Sequence, residues 1–362
     1  MVTKSNKAII QPHVSIIILN WNKWADTIEC LESVLKSDYK NYSIILIDNG
    51  SDNDSVEKIL AWADGKLPKP YASKYNEIVL PEVKKPLNIH KIQIENGNYV
   101  PTKSGKNFLI HLILSNENLG FAKANNVGIR YADVIWNSKY YYLLNNDTVI
   151  ENETLGNLVT VLENYPQYKI AQSTIYFYEK KEKIAIAGGK LFLWGKGRFY
   201  TRIKPNEIKE IGFINGCALL LSQEIVKKYG TLSERFFFGE EDFEYSLRLS
   251  LKKVKKVCVG NSRVYHKISL SSNHLLGNDR GRRLVLSALN RIADMRNFYP
   301  GYLWILWRYL TVIYYYLFLM IIKHRINIRL ANKYLKYILK KSRNISSVNK
   351  TLYEEIISKK WN

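Results

Sequence analysis

Two short acidic runs carry the groups best suited to chemistry. Glu240-Glu241-Asp242 follows the apolar Phe236-Phe237-Phe238 and opens a stretch with Phe243, Leu247 and Leu251 at near-helical spacing. One carboxylate there can project into a cleft while another sits at a helix N-terminus. An apolar wall beside a carboxyl group raises its pKa and makes it a better proton acceptor. The plain alternative is an acidic first helical turn. Asn145-Asn146-Asp147 ends the apolar run Tyr141-Tyr142-Leu143-Leu144. A carboxylate at that place suits a hard divalent cation that keeps positions open for phosphate oxygens. Alternatively the segment, with Thr148, caps the following helix.

These groups need elements to position them. Val14–Leu19 is a continuous, largely β-branched run, as expected of a buried parallel strand. Ser43–Ile47, Leu109–Leu114 and Tyr140–Leu144 are predicted as further strands. Helices over Trp24–Leu35, Ser55–Trp62 and Phe121–Ala132 alternate with them. That order predicts an α/β protein with a mostly parallel central sheet flanked by helices. Residues 65–107, with Pro68, Pro70, Pro81, Pro86 and Pro101, read as an insertion holding one or two short strands. Beyond it, strands are expected at Lys169–Phe177, Ala218–Leu221 and Lys256–Val259. Ser222 should cap a short helix ending at Gly230, Glu241–Leu251 should be a helix, and the chain reads as helical from Arg282.

In a parallel sheet, ligands bind beyond the carboxyl ends of the strands. The first four strands are followed by Asn20-Trp21-Asn22, Asp48-Asn49-Gly50-Ser51, Asn118-Leu119-Gly120-Phe121 and Asn145-Asn146-Asp147-Thr148. Each alone is ordinary turn chemistry; four in succession point to a nucleotide pocket. Neither Gly-x-Gly-x-x-Gly after the first strand nor Gly-x-x-x-x-Gly-Lys-Ser/Thr anywhere is present, which argues against a dinucleotide or P-loop site. Gly120 and Gly128 flank a helix start, where backbone N–H groups could meet a phosphate or glycine could permit close packing.

The chain has 362 residues, 46% hydrophobic and 24% charged, a globular composition rather than a disordered one. Its net charge of +22 points to a polyanionic partner: nucleic acid, anionic lipid or a phosphorylated substrate. The excess is concentrated: from Arg280 onward there are 17 Lys/Arg against three acids. Cys30, Cys217 and Cys258 fit a reducing compartment and show no zinc-ligand spacing. The first apolar run is too short for a secretory signal. Tyr302–Ile322 holds one charge, Arg308, and is borderline for a membrane span. Aromatics and flanking cations suit a helix lying at a membrane surface; a buried helical hairpin, a dimer surface or a single span are the alternatives.

From Val14 to about Ser271 the chain resembles the family 2 glycosyltransferases of GT-A fold, especially their bacterial rhamnosyltransferase-like branch. The residues that carry the resemblance are Val14–Asn22, Glu29–Ser33, Ile47–Ser51, Asn118–Ala122, Asn125–Gly128, Leu143–Asp147, Asn215–Ala218, Phe236–Asp242 and Val264–His266. The resemblance implies a GT-A domain over 1–275, and the charge and helical pattern of the tail, outside the resemblance, make 276–362 a basic helical region expected to associate with a membrane. The resemblance implies that Asn145-Asn146-Asp147 stands in the place of the family's Asp-x-Asp motif. Its first carboxylate is missing, and Asp147 remains, with His266, to hold Mg²⁺ or Mn²⁺. Asp242 becomes the general base, supported by Glu241. Asn20, Trp21, Asn22, Asp48, Asn49, Asn118, Gly120, Asn125 and Asn146 become contacts to the donor nucleotide, and Asn215, Gly216 and Phe238 contacts to the acceptor. The implied activity is inverting transfer from a nucleoside diphosphate sugar, dTDP-rhamnose or a UDP-sugar, to a saccharide or lipid-linked acceptor. The implied setting is bacterial surface polysaccharide synthesis; the basic tail adds the expectation of a cytoplasmic protein attached to the inner face of the membrane, and the absence of an RRM, KH or helix-turn-helix pattern argues against a nucleic acid partner. The competing readings are a basic membrane- or nucleic-acid-binding protein without activity, and a sugar-nucleotide pyrophosphorylase. The latter would need a Gly-rich, Arg-containing loop where Asn20-Trp21-Asn22-Lys23 stands.

Overall fold

The computed structural model describes residues 11–94, 106–192, 194–268 and 280–361. The N-terminal half alternates β1 (Val14–Asn20), α1 (Trp24–Val34), β2 (Tyr42–Asp48), α2 (Ser55–Ala63), the single turn α3 (Asn76–Val79), β3 (Ile89–Ile94), β4 (Ile110–Ser115), α4 (Phe121–Trp136) and β5 (Tyr140–Asn145). β1 pairs in parallel with β2 and β5, and β4 pairs in parallel with β2 and β3. All of β2 is buried, because helices cover both faces of the sheet and no face needs polar side chains. One core holds Ile16, Leu31, Leu46 and Trp62; the other holds Ile17, Ile45, Val127 and Tyr131. Gly128 belongs to the second interface. A Cβ there would lie 2.7 Å from Ile17 Cγ2, so its role is close packing of α4 on β1, not phosphate contact.

The described part of the 65–107 insertion supplies α3 and one strand, β3, which forms the sheet edge beside β4. It is fastened to α1 through buried Glu32, whose carboxylate accepts from Lys85 Nζ at 2.5 Å and from the Val83 N–H at 2.9 Å. Pro101 lies outside the described residues.

The second half contains β6 (Thr148–Ile150), α5 (Thr154–Asn164), β7 (Tyr168–Phe177), β8 (Lys180–Ile186), a hairpin of β9 (Gly189–Phe192) and β10 (Lys196–Phe199), β11 (Ile208–Ile211), β12 (Ala218–Ser222), α6 (Gln223–Tyr229), α7 (Glu241–Leu251) and β13 (Lys255–His266). The main sheet runs β11-β13-β7-β12-β5-β1-β2-β4-β3, with β6 on β13 and β8 on β7. β12 lies antiparallel between β5 and β7. Ser222 accepts from the Ile225 N–H and caps α6 as expected. Two expectations change. Thr148 opens β6 rather than capping a helix, since α5 starts only at Thr154. The strand expected to stop at Val259 continues through a register shift between Val259 and Arg263 and ends at His266.

The C-terminal region is helical: α8 (Arg280–Met295), α9 (Gly301–Lys323, π-helical from Tyr314), α10 (Ile328–Lys341) and α11 (Lys350–Ser358). The boundary expected at 275/276 falls outside the described residues. These helices share a core with Phe236 from the segment before α7. The Phe237 N–H donates to the Val348 carbonyl at 2.9 Å, and the Val348 N–H to the Arg235 carbonyl at 3.0 Å. Lys350 pairs with Glu117 at 2.9 Å. The tail is therefore built onto the sheet domain beside its acidic motif.

Candidate active site

Asp147 follows β5 at the turn into β6 and is 3% exposed. β13 returns antiparallel to β6 and sets His266 opposite Thr148. This brings His266 Nε2 to 3.0 Å from Asp147 Oδ1, with Asn145 Nδ2 at 3.5 Å from the same nitrogen. The Lys267 N–H donates to the Asp147 carbonyl at 3.0 Å. Burial acts to lower the pKa of His266, but the Cys217 thiol and the Asp147 carboxylate outweigh it and hold the imidazole well above its ordinary value. One carboxylate and one imidazole converging at a strand end fit a hard divalent cation. Among the described residues no group of three or more His, Cys, Asp or Glu gathers for a metal. Were an ion to bind at this corner, Asp147 and His266 are the side chains placed to hold it, with phosphate oxygens and water left to complete its shell.

Beside this corner lies a cavity of about 490 Å³, ample for a small polar ligand. The loop after β1 contributes Trp21, Asn22 and Lys23. The loop after β2 contributes Asn49, Asp52 and Asn53, and the start of α4 contributes Asn118, Gly120 and Phe121. Asn145, Asn146 and Asp147 form the floor with Leu19, and Phe237 and Phe238 the far wall. All four polar strand ends therefore converge. They are braced against one another. Asn49 Nδ2 donates to Asn118 Oδ1 at 3.0 Å, the Leu119 N–H donates to Asn49 Oδ1 at 2.9 Å, and Asn146 Nδ2 donates to Thr27 Oγ1 at 2.8 Å.

Asn20, Asp48 and Asn125, expected as donor contacts, are not wall residues. Asn20 donates to Asp48 Oδ2 at 2.7 Å and accepts from Thr27 at 2.8 Å; the Ser51 N–H and hydroxyl also donate to Asp48. Asn125 donates to the Phe121 carbonyl one turn back in α4 at 3.0 Å. Their polar atoms brace the loops from behind. Asp52 and Asn53 are wall residues that sequence reasoning did not single out, while Phe121, Asn145 and Phe237 stand in segments that it did. Asp52 and Asn53 are within four residues of Asn49, so adjacency was the available signal.

Asp242 lies in the first turn of α7. The Gly216 N–H donates to its Oδ1 at 2.9 Å and Asn215 Nδ2 to its Oδ2 at 3.1 Å. Asn215 and Gly216, expected at the acceptor, thus hold the acid itself. A Cβ on Gly216 would stand 2.7 Å from Asp242 Oδ1 and 3.3 Å from the ring of Phe121, so Gly216 sits between the carboxylate and a cavity-lining ring, and Asp242 itself is not among the residues that line the cavity. The same segment reaches the metal corner, because the Asn145 N–H donates to the Cys217 carbonyl at 2.8 Å. Burial first, then the negative Glu241 and Glu240, push the Asp242 carboxyl well above its ordinary value. Glu241, in the first turn of α7, turns back to accept the Glu240 N–H at 3.0 Å. Glu240 is paired with Arg291 of α8, whose guanidinium carbon lies 3.5 Å from the centroid of the Phe243 ring. The neighbouring Asn290 donates to the Phe238 carbonyl at 2.9 Å. Arg291 and Asn290 grip the loop that leads into Asp242. In the sequence they stood only as residues of a basic tail.

Residues 15–77 and 98–230, more than half of the chain, match the family model described as Glycosyl transferase family 2. The chain belongs to glycosyl transferase family 2. Asp242 and His266 lie beyond the matched residues, so their place in this family 2 site rests on the geometry above. A curated relative, the low-salt glycan biosynthesis hexosyltransferase Agl10 of Haloferax volcanii, is 26% identical over 147 residues. The match covers 38% of this chain and 46% of that protein, so it spans less than half of the relative's length. Among solved structures, GalNAc-T7 with UDP, GalNAc and Mn²⁺ aligns with a TM-score of 0.50 at 15% identity, covering 92% of this chain and 58% of that one. The mannosyltransferase PcManGT of Pyrobaculum calidifontis, in complex with GDP-Man and Mn²⁺, aligns with a TM-score of 0.49 at 12% identity, covering 92% and 75%. The family and the mostly parallel sheet give this chain the GT-A fold.

Proposed function

We propose that this family 2 protein transfers a hexosyl group from a nucleoside diphosphate sugar to a hydroxyl of a saccharide or lipid-linked acceptor, with inversion at the anomeric carbon. The observation that supports this most is a single one. The Asp147–His266 corner and Asp242 are tied through Asn215–Cys217 to one end of the sheet, beside a cavity edged with amides.

The reaction needs three things from these residues. Asn49 and Asn118 offer amide groups to the donor's base and ribose. Phe121, Phe237 and Phe238 narrow the site and keep water from competing as acceptor. Asp242 takes the acceptor's hydroxyl proton. The acceptor oxygen bonds to the anomeric carbon from the face opposite the diphosphate, and the breaking C–O electron pair leaves with the diphosphate. Asp147 and His266 would hold Mg²⁺ or Mn²⁺ there, and the ion would supply neutralisation of the leaving diphosphate. Glu241 fixes the first turn of α7 and so the direction in which Asp242 points.

The donor we favour is dTDP-rhamnose or a UDP-sugar. The setting we favour is bacterial surface polysaccharide synthesis at the cytoplasmic face of the cell membrane, with the basic tail against anionic lipid. The test is a panel of sugar nucleotides, with and without Mg²⁺ or Mn²⁺, scored for binding and hydrolysis and then for transfer to candidate acceptors. Asp242→Asn should retain donor binding and lose transfer by at least about a hundredfold; undiminished turnover removes Asp242 from the reaction.

A further inference from the structure

Helix α9 has two unlike sides. Trp304, Arg308, Val312, Tyr315 and Met320 are buried in the core that the tail shares with Phe236. The other side is apolar and open: Tyr302 is 74% exposed, Leu306 60%, Leu310 59%, Ile313 51%, Leu317 50% and Ile322 65%. A second element adds to this face. In the β9–β10 hairpin, Trp194 is 60% exposed, and its carbonyl accepts from Trp307 Nε1 of α9 at 3.0 Å. Its ring lies 4.6 Å from that of Phe192. Lys196 of the same hairpin reaches within 6.0 Å of the Tyr314 ring of α9. Exposed cations border both pieces: Lys190, Lys196 and Arg198 on the hairpin, Lys323 at the end of the helix, and Arg325 and Arg329 beyond it.

We propose that α9 and the tip of the β9–β10 hairpin form one face that inserts into the headgroup boundary of an anionic bilayer, with α9 lying in the membrane plane. This deepens the membrane-seated reading above and does not depend on the donor chemistry. The length of α9, 23 residues, would suffice to span, since a helix rises ~1.5 Å per residue and a bilayer core is ~30 Å thick. Packing decides otherwise. A spanning α9 would carry its buried Arg308 and the flanking helices α8 and α10 into hydrocarbon with it. An apolar stripe with aromatics and Lys/Arg at its margins, on a helix whose reverse side is seated in protein, suits an interface. A second copy of the chain is the other conceivable cover, but two bodies of +22 charge repel, whereas anionic lipid attracts the same cations. α8 packs on α9 and carries Asn290 and Arg291 to the loop before Asp242. The membrane seat and the reactive loop therefore share one helix.

The test uses the full chain and phosphatidylcholine vesicles with and without phosphatidylglycerol. The wild type should float with the anionic vesicles and be released by salt. Leu310→Asp combined with Ile313→Asp should lower the bound fraction by about tenfold or more, and Trp194→Ala should lower it severalfold, with unchanged melting temperatures. Nitroxide labels at Leu306→Cys, Ile313→Cys and Ile322→Cys should report one shallow depth; the native cysteines are buried and free. The proposal is overturned if the wild type does not float, if the double variant floats as well as the wild type, or if the label at 313 sits deep with 306 and 322 near the two surfaces. A lipid-free dimer that the Asp variant dissociates overturns it as well. Sugar-nucleotide binding measured without vesicles separates the two readings: its loss with intact flotation counts against the transferase and not against this face.

Discussion

Asp242 is caught between two demands: its donors Gly216 and Asn215 favour the carboxylate, while burial and the acids at 240 and 241 favour the protonated form. The second set prevails. A base with a raised pKa is inactive while protonated, so kcat/KM should fall on the acid side along a limb lying well above pH 3.8, the ordinary value for aspartate. Glu241→Gln removes a negative neighbour, which should move that limb to lower pH in the pH–rate profile. A limb that stays put assigns the titration to another group. Gly216→Ala is a second probe. Its methyl would stand 2.7 Å from Asp242 Oδ1, so the carboxylate must shift, and kcat should fall about ten- to a hundredfold with donor binding retained. At the metal corner, chelation should abolish transfer and added Mn²⁺ should restore it. Asp147→Asn should weaken the response to Mn²⁺, read as a higher metal concentration for half-maximal rate.

Among the elements, α8 does most to join the tail to the chemistry. Arg291 pairs with Glu240 and stacks on Phe243 while Asn290 holds the Phe238 carbonyl, so α8 sets the path of the loop that enters α7. Arg291 is a positioning residue: it acts on Asp242 through Glu240. Arg291→Lys keeps the charge but loses the planar fork. It should lower kcat by about tenfold or more with little change in donor KM, since displacement of about 1 Å at a reacting group costs about a hundredfold. An equal rise in donor KM would instead place Arg291 at the donor pocket. The described part of 65–107 contributes no residue to the lining of the cavity. Its strand β3 sits at the sheet edge, and the segment is fastened to α1 through Glu32.

At the scale of the whole molecule, the sheet domain and the helical tail are not independent bodies. Phe236 is 1% exposed within a core otherwise made by α8, α9, α10 and α11 with the segments that join them. Calorimetry should therefore show one unfolding transition rather than two, and Phe236→Ala should cost about 3–5 kcal/mol. Two separable transitions, with the lower one alone sensitive to Phe236, would contradict the shared core.

The unbroken apolar runs of β1, β2 and β5 and the amides that follow them were legible in the chain itself. So were Asp147 and the acidic entry to α7, because each is a signal contained in a few consecutive residues. Tertiary structure alone decided the rest. Asn20 and Asp48 turn to each other across two loops, Asn125 turns back on its own helix, and Arg291 reaches Glu240 from a distant helix; the pairing of His266 with Asp147, which the resemblance had implied, is made by β13 continuing past a register shift. The apolar run in the tail showed that something must cover it, but which half faces protein and which faces outward was settled by the packing of α8 and α10. Local periodicity reports what a segment can bury. Only the closing of long loops determines against what it is buried.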